Sequence, residues 1–474
     1  MSGKYEASKG YPNLTLILCC VLAGMLIVGI TVGLLLWAPW KDSVPTEPTS
    51  ESTVPSTEQP TEPSTEPVTE PPTQPPTEPS IVKEASATIS AVGDILPHMP
   101  IVRSYNFGED GYIFDEIFDT FRPYIEAADY AIANLETTLS GADYPDGYIG
   151  YPRFNSPDSL ADALKNAGFD MLLTSNNHAY DTGHSGFIRT QEYIRDLGFD
   201  HLGTRLSADL PRYLVKEING IRIGMVCYSY EGGARQGDRK VLNMAMSAED
   251  SPLITSFSYA DLPGFYAEAA RVKAAMEADG ADATVFLIHW GDEYHTTQNA
   301  TQSAIAQQLC DLGVDVIIGG HPHVVQPMEL LTSTVDPRHK TVCLYSMGNC
   351  LSNQRQEFMD LPTAHTEDGV MMQLTFTKYS DGTVILSQVD LLPTWVHMIY
   401  FNGDIRRYTV YPLDPALESW QEAYHLDDYT AQKLQESYDR TMSIVGSGLE
   451  EAQDWLARHT AEVEAALGME SNTP

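Results

Sequence analysis

Short apolar runs that each end in a cluster of polar residues recur along residues 82–400 of this chain. The runs are rich in aliphatic and β-branched side chains, and a short run of this kind indicates a buried strand. Six of them occupy residues 87–92, 130–133, 171–174, 284–288, 316–320 and 341–345. Apolar residues at helical spacing lie between them, at residues 114–125, 160–167, 267–278 and 300–312. Alternating helices and strands predict an α/β fold.

Two dipeptides are typical of tight turns between antiparallel strands. They are Asn219-Gly220 and Asp381-Gly382, and both residue types tolerate the backbone conformation that a two-residue hairpin requires. Parallel strands cannot be joined by such short turns. We therefore expect mixed sheets, built into one domain rather than two independent ones.

The N-terminal part of the chain has a different pattern. Residues 14–37 contain no charged side chain, and at a rise of about 1.5 Å per residue they are long enough to cross a bilayer as a helix. A cleaved signal peptide is the alternative, but its apolar region would be shorter and would end at small residues. We expect a signal anchor after a short cytoplasmic tail, residues 1–13, because Lys4 and Lys9 precede the span. The rest of the chain would then be extracellular.

Two further segments flank the predicted domain at residues 82–400. Residues 43–80 consist almost entirely of Pro, Thr, Glu and Ser, a composition that cannot bury a core and predicts a disordered, extended linker. In residues 401–474, apolar side chains at helical spacing between Leu449 and Leu467 predict a helical extension. We leave two interpretations open for that helix: it packs on the domain, or it binds a partner.

Charge excludes one class of partner. The formal net charge of the chain is −37, and the residues beyond position 80 carry −31 of it. A surface this acidic repels phosphate backbones, so we exclude nucleic acid. The four cysteines of the predicted domain lack metal-binding spacing, and we expect buried free thiols. An extracellular domain would also permit disulfides.

The strongest candidate chemistry lies at residues 316–323, where an apolar strand with the sequence VIIGG ends in His321, Pro322 and His323. The two glycines should let the backbone turn so that both imidazoles face one point. Paired histidines at a strand end are typical of a metal site, and a loop with two solvated histidines is the alternative.

The other predicted strands end in polar residues that complement this pair. In open α/β sheets, ligands bind at the carboxyl ends of the strands, so these residues should meet in one place. They are Asp94, Asn134, Glu136, Asn177, His178, Asp181, His289, Glu293 and Asn349. For Asn134 and Asn349, capping of a turn is an equally open interpretation. Glu293 could equally be a solvated loop residue.

In their order along the chain, these clusters resemble the signature of the bacterial capsule-synthesis CapA family, which is associated with poly-γ-glutamate. The segments that carry the resemblance are Gly93-Asp94, Asn134-Leu135-Glu136, Asn176-Asn177-His178, His289-Trp290-Gly291-Asp292-Glu293, Gly320-His321-Pro322-His323 and Gly348-Asn349. They extend over roughly residues 85–395. That family is similar in fold to the calcineurin-like metallophosphoesterases. The resemblance implies an α/β fold with a mixed β-sheet sandwich flanked by helices.

Matched position by position, the resemblance also implies a metal site. The implied metal ligands are Asp94, Glu136, Asn177, His289, His321 and His323. His178 would be the general acid or a charge stabiliser, oriented by Asp181. Two departures from the phosphoesterase pattern leave open whether one or two ions bind. His98 lies four residues after Asp94 instead of two, and Glu136 replaces a bridging aspartate.

The implied ligand set mixes nitrogen and oxygen donors, which suits divalent ions such as Mn, Fe or Zn. We therefore expect a cell-membrane protein that acts in capsule or poly-γ-glutamate synthesis, export or processing. In this interpretation it is a metal-dependent hydrolase or transferase whose substrate is that anionic polymer or a phosphoester. The alternatives are a metallophosphoesterase and a non-catalytic scaffold subunit of a polymer synthase complex.

Overall fold

The computed structural model describes residues 80–401 and 405–469, all of which belong to one compact unit, Glu78–Pro474. The predicted cytoplasmic tail and membrane span lie outside the described residues, as does the predicted linker up to residue 79. Within the described ranges, no helix has both the length and the apolar character needed to cross a membrane.

Two mixed sheets form the centre of the described structure. The strands of the first sheet are β1 (Lys83–Leu96), β2 (Tyr130–Leu135), β3 (Met171–Leu173), β4 (Asp200–Leu202), β12 (Asn349–Ser352), β13 (Asp368–Tyr379), β14 (Val384–Phe401) and β15 (Ile405–Pro412). Their order is β15-β14-β13-β1-β2-β3-β4, and β12 pairs with the end of β1. The pairs among β1 to β4 and the pair β1-β12 are parallel, whereas β13, β14 and β15 add antiparallel pairs.

The second sheet has the order β10-β11-β9-β8-β6-β5, with β7 paired to β6. Its strands are β5 (Tyr213–Ile218), β6 (Ile221–Tyr230), β7 (Ser256–Phe257), β8 (Ala283–His289), β9 (Val316–Gly320), β10 (Met328–Thr332) and β11 (Lys340–Leu344). Both predicted hairpin turns are confirmed, because Asn219-Gly220 joins the antiparallel strands β5 and β6, and Asp381-Gly382 joins β13 and β14.

Helices flank the two sheets. They are α1 (Met99–Ser104), α2 (Arg122–Ile125), α3 (Ser159–Asn166), α4 (Gly183–Asp196), α5 (Leu262–Ala278), α6 (Ala300–Asp311), α7 (Gln356–Met359), α8 (Trp420–Ala423) and α9 (Asp428–Ala466). One apolar cluster joins the inner faces of both sheets, through residues such as Ile89 and Val285. A second packs α3 on the first sheet, and a third packs α5 and α6 on the second. The architecture is a mixed β-sheet sandwich flanked by helices.

The prediction of one continuous helix at residues 114–125 is wrong. The apolar stripe at residues 114–125 is buried as expected, but it is divided between a 3₁₀ turn at Asp115–Phe118 and the short helix α2. Pro123 lies in the first turn of α2, and a proline ring clashes with the carbonyl group four residues earlier. A helix from residue 114 therefore cannot continue through Pro123.

The C-terminal helix is much longer than the stripe that predicted it. It begins at Asp428, where the Asp427 side chain accepts a 2.7 Å hydrogen bond from the Thr430 amide. It packs on β10 and β14, and its buried residues, among them Val445 and Leu456, join the cluster between the sheets. Of the two open interpretations, packing on the domain is thus observed. The four cysteines of the described residues are free and buried, as expected.

Candidate metal centre

The parallel pairing of strands places the polar residues of the first sheet side by side. Asp94, near the end of β1, is in register with Asn134 on β2 and with Asn349 on β12. In the second sheet, His289 at the end of β8 is in register with Gly320 at the end of β9. Asp94, Asn134 and His289 therefore lie at or near the carboxyl ends of their strands, where ligands bind in α/β folds, whereas Asn349 is the first residue of β12.

The two sheet edges meet at these residues. His323 Nδ1 of the second sheet lies 3.0 Å from Asp94 Oδ2 of the first. His289 Nε2 lies 3.3 Å from Glu136 Oε1 and 2.8 Å from Asn177 Oδ1. All of the predicted ligands are buried, with at most 3 % of any of them exposed. The structure thus brings Asp94, Glu136, Asn177, His289, His321 and His323 together.

Two overlapping groups of donor atoms are close enough to bind cations. Glu136, His321 and His323 form one group, and Asp94, Glu136 and His289 form the other, with the donor atoms of each group within 4.8 Å of one another. Glu136 belongs to both groups. A carboxylate has two oxygens that can bind separate partners, so the position of Glu136 is compatible with one ion or with two.

The backbone at the histidine pair differs from the expectation. We predicted that Gly319 and Gly320 make the turn, but the left-handed conformation is adopted by the histidines, with φ of 98° at His321 and 57° at His323. Gly319 is required for close approach instead: a Cβ atom at this position would overlap the Tyr345 carbonyl oxygen. Left-handed backbone is unfavourable for non-glycine residues and is concentrated at functional sites.

Unpartnered polar atoms give an independent test of whether these residues suit a cation. Both carboxylate oxygens of Glu136 and Nδ1 of His321 are buried without a hydrogen-bond partner. Such atoms are rare in folded proteins, because each costs about 1–3 kcal/mol when left unsatisfied. Burial, together with the neighbouring charges of Asp94 and Glu293, raises the pKa of Glu136 well above its ordinary value. A bound cation would accept the lone pairs of these oxygen and nitrogen atoms, so the residues are suited to a metal ion.

The pKa values of the histidines in the site are shifted in opposite directions. Burial lowers the pKa of His289 to about 3 and holds the pKa of His321 well below its ordinary value. Burial also opposes the charged form of His323, but the hydrogen bond and charge of Asp94 raise its pKa overall. The same interaction lowers the pKa of Asp94 although burial acts to raise it. Neutral His289 and His321 carry the free nitrogen lone pairs that metal binding requires.

The predicted proton-transfer pair is formed. His178 Nδ1 lies 2.7 Å from Asp181 Oδ2, and both side chains are buried. The same Asp181 oxygen accepts a hydrogen bond of 2.7 Å from the Phe154 amide. A carboxylate oxygen accepts hydrogen bonds, so this contact suits the tautomer of His178 in which Nδ1 donates.

Several asparagines hold the ligands in place. Asn134 donates to Asp94 Oδ1 at 2.7 Å, and Asn176 donates to Asn134 Oδ1 and to the Leu135 carbonyl. Asn349 Oδ1 lies 3.1 Å from His323 Nδ1. Asn134 and Asn349 therefore contact metal-ligand candidates. Of the two interpretations left open for them, the structure supports membership of the site.

Sequence reasoning missed Asn243, which lies on the long connection between β6 and β7. Its backbone amide donates to the Asn177 carbonyl at 3.2 Å, and its side-chain nitrogen lies 3.3–3.4 Å from the ring nitrogens of His178. No spacing pattern marks such a residue, because a loop brings it to the site.

Two further residues lie at the margin of the site. His98 belongs to neither converging group. Its ring packs edge-on against Phe154, which packs in the same way against His178. Glu293 is exposed, as expected of a loop residue, although its charge acts on Glu136 and His323.

Comparison with known proteins identifies a family for this chain. The family model described as bacterial capsule synthesis protein PGA_cap matches residues 88–354, more than half of the chain. The chain belongs to this family. The match includes every predicted ligand, together with His178 and Asp181.

Curated relatives have related names. Capsule biosynthesis protein CapA of Bacillus anthracis is 26% identical over 64% of this chain and 67% of its own length. PGA biosynthesis protein CapA of Bacillus subtilis is 25% identical over 58% of this chain and 65% of its own. A polyglutamine synthesis accessory protein of Mycobacterium tuberculosis, so named with the qualifier "probable", is 24% identical over 56% and 65%. The chain thus spans about two thirds of these relatives.

A solved structure from Staphylococcus aureus, described as a 5′-nucleotidase in complex with α-ketoglutarate, is also similar. It is 13% identical over 74% of this chain and 58% of its own, with a TM-score of 0.34. A similarity this low supports no conclusion about fold or function.

Proposed function

We propose that this member of the capsule-synthesis family is a metal-dependent hydrolase or transferase that acts on poly-γ-glutamate. The observation that carries the proposal is Glu136, a buried carboxylate whose two oxygens lack hydrogen-bond partners and whose Oε1 lies 3.3 Å from His289 Nε2 and 4.0 Å from His323 Nε2. A purely structural core would not retain such a group, because removing a carboxylate from water without a partner is strongly unfavourable.

Asp94, Glu136, Asn177, His289, His321 and His323 would hold the metal. A divalent ion of the Mn, Fe or Zn type, when bound, supplies Lewis-acid polarisation of a carbonyl or phosphoryl oxygen. The remaining chemistry belongs to the chain itself. His178, oriented by Asp181, would transfer a proton at its Nε2 atom. The side-chain amide of Asn243, beside His178, would donate a hydrogen bond to substrate.

Charge supports an anionic polymer as the substrate of this site. The residues beyond position 80 carry a net charge of −31, so the surface opposes a polyanion except where histidines and a bound cation reverse the local sign. Such a distribution would direct the polymer to the centre and away from the rest of the surface. The relatives named for capsule and PGA biosynthesis are consistent with this substrate.

We further propose that residues 14–37 anchor the protein in the cell membrane with its N-terminus in the cytoplasm. The uncharged length of this segment and the lysines before it support that topology. The metal centre would then be extracellular.

The test is an activity assay on the full-length protein in detergent. Poly-γ-glutamate and a chromogenic phosphoester are incubated with the protein after metal loading and after chelation, and polymer length and phosphate release are measured. We expect metal-dependent shortening or transfer of poly-γ-glutamate chains. Phosphoester turnover without any effect on the polymer would assign the site to a phosphoesterase, and no turnover of either substrate by the metal-loaded protein would favour a scaffold.

A further inference from the structure

Two tyrosines of the described chain pack on the histidines of the metal centre. The Tyr230 ring is nearly parallel to the His289 ring, with an interplanar angle of 8° and a centroid distance of 6.4 Å. Its centroid also lies 4.7 Å from that of His321. The centroid of the Tyr294 ring lies 6.2 Å from that of His323. Both rings therefore belong to the immediate surroundings of the predicted ligands.

Tyr230 is held beside these histidines by a strand end. It is the last residue of β6, and the preceding residue, Ser229, is in register with His289 at the end of β8. The parallel pairing of β6 and β8 thus places Tyr230 at the carboxyl edge of the second sheet, where ligands bind in α/β folds. A side chain on a strand is positioned more exactly than one on a loop.

The hydroxyl groups around the centre differ in their partners. The Tyr294 hydroxyl accepts a 3.3 Å hydrogen bond from Gln354 Nε2. Tyr259, whose ring lies 5.9 Å from that of Tyr230, accepts a 3.0 Å hydrogen bond from the Gly291 amide. The Tyr230 hydroxyl makes no hydrogen bond to a described residue, and it is not one of the buried atoms that lack a partner. It is therefore accessible to solvent and available to a ligand.

This free hydroxyl lies near the carboxylates of the centre. Burial raises the pKa of Tyr230, and the charges of Glu293 and Glu136 raise it further. Glu136 Oε1 is in turn 3.3 Å from His289 Nε2, so the hydroxyl is close to the converging ligand atoms. A tyrosine with the ordinary pKa of about 10 is already protonated at neutral pH. The group is therefore a neutral hydrogen-bond donor at the centre.

We propose that the Tyr230 hydroxyl donates a hydrogen bond to the substrate oxygen that gains negative charge during the reaction. In poly-γ-glutamate this atom is the carbonyl oxygen of the amide bond under attack, and in a phosphoester it is a phosphoryl oxygen. A donor that is already in place for such an oxygen binds the transition state more tightly than the substrate and lowers the barrier. Tyr230 keeps its proton, so no bond is formed or broken at this residue.

This inference rests on the proposed function and adds a residue to it. His178 and Asn243 supply the proton and one hydrogen bond, and Tyr230 supplies a second donor from the other sheet. The competing interpretation is that Tyr230 only packs on the histidines. Replacement by phenylalanine separates the two, because the ring remains and only the hydroxyl is lost.

The test compares Tyr230→Phe with the wild type, both as full-length, metal-loaded protein in detergent. The affinity for inorganic phosphate, an oxyanion whose binding requires no turnover, is measured by isothermal titration calorimetry. Metal content is measured in the same preparations, and kcat and KM are measured on poly-γ-glutamate and on a chromogenic phosphoester. Tyr266→Phe is the matched control, since Tyr266 is a partly buried tyrosine that packs on the third apolar cluster, and burial alone shifts its pKa.

We expect Tyr230→Phe to keep the metal content of the wild type and to bind phosphate about tenfold more weakly, the scale for a lost hydrogen bond to a charged group. Its kcat should fall about 10²-fold with little change in KM, which is the pattern of an interaction made in the transition state. Tyr266→Phe should match the wild type in every measurement.

The inference is overturned if Tyr230→Phe binds phosphate as tightly as the wild type, if its kcat is unchanged, or if the metal-loaded wild type does not bind phosphate. Loss of metal in Tyr230→Phe would also overturn it, because the hydroxyl would then act on the metal site and not on the substrate. A wild type that turns over neither substrate, combined with weaker phosphate binding by Tyr230→Phe, would refute the proposed function alone and confirm the contact between Tyr230 and a bound oxyanion.

Discussion

His178 and Asp181 form a buried pair in which Nδ1 of the imidazole lies 2.7 Å from a carboxylate oxygen. A second histidine–aspartate pair in the same domain, His184 with Asp250, has nearly the same separation, 2.8 Å, but its imidazole is 60% exposed. The first pair adjoins the metal-ligand candidate Asn177, and the second does not contact any ligand candidate. The two pairs therefore allow a direct test of the catalytic role proposed for His178.

We predict that His178→Ala keeps its fold and its metal but loses turnover by about 10²-fold or more, the effect of a missing general acid. Asp181→Asn should lower turnover less than His178→Ala does, because the amide oxygen can keep both hydrogen bonds of Asp181 Oδ2 but carries no charge to stabilise a protonated imidazole. His184→Ala is the control and should retain wild-type turnover. The measurement is the rate of poly-γ-glutamate shortening, with metal content determined in the same preparations.

The same variants distinguish an enzyme from a scaffold in cells. If His178→Ala binds metal and supports surface polymer of normal amount and normal chain length, the catalytic proposal is wrong.

Glu136 provides a prediction about pH. Its pKa is raised well above the ordinary 4.5 in the folded, metal-free protein. Its contribution to stability is therefore complete below pH 4.5 and is lost as the pH rises through the raised value. The slope between these limits is at most about 1.4 kcal/mol per pH unit. Glu136→Gln removes the titrating group, so the chelated wild type should lose stability relative to this variant as the pH increases.

Urea unfolding of both proteins with a chelator, over a series of pH values, checks this expectation. Added metal should reverse the order, because a ligand that binds only the folded state stabilises it. Stability curves that run parallel at all pH values would show that Glu136 has the same pKa in the folded and the unfolded protein, which would contradict the raised value.

Gly448 provides a prediction about the C-terminal helix. A Cβ atom at this position would overlap the Met328 carbonyl oxygen of β10, and such overpacking typically costs about 1–3 kcal/mol. Gly446, two residues earlier, is a matched control, because its nearest atom would be Met442 Cε at 3.6 Å, an ordinary contact. Gly446→Ala should stabilise the helix by up to about 1 kcal/mol. The free energies of unfolding of the two variants should thus change in opposite directions.

If Gly448→Ala is as stable as Gly446→Ala, the helix does not pack on β10 in solution.

The proposed membrane topology predicts a protease-sensitive site. A protease added to intact cells, after removal of any cell wall, should release a domain whose N-terminus lies within residues 43–80, because a chain rich in Pro, Thr and Glu without a core is accessible to cleavage. The released fragment is identified by N-terminal sequencing. A domain that stays protected until the cells are lysed would contradict an extracellular location.

Strand-end residues were predictable from the sequence, and loop residues were not. Asp94 and His289 follow apolar runs, and the parallel register that places them at one edge is a general property of α/β sheets. The contact between Asn243 and His178 depends instead on the path of a long loop, which leaves no periodic signal. The backbone strain at His321 and His323 was also hidden, because a glycine beside a histidine suggests the wrong residue for the turn.

Helix boundaries were limited by similar causes. The stripe at residues 114–125 had helical spacing, but Pro123 divides it. The C-terminal helix was predicted only from Leu449, although it begins at Asp428. Its first turns bury small polar residues such as Ser437 and Thr441, and these do not form an apolar stripe.

The central claim is that the strand ends of both sheets form one metal centre. Full-length protein is purified in detergent, dialysed against metal-free buffer and measured by elemental analysis, together with Glu136→Ala, His289→Ala and His321→Ala. We predict that the wild type retains a stoichiometric amount of Mn, Fe or Zn, and that each variant retains less while remaining folded. Metal content at background in the wild type, or equal metal content in all four proteins, would contradict the account.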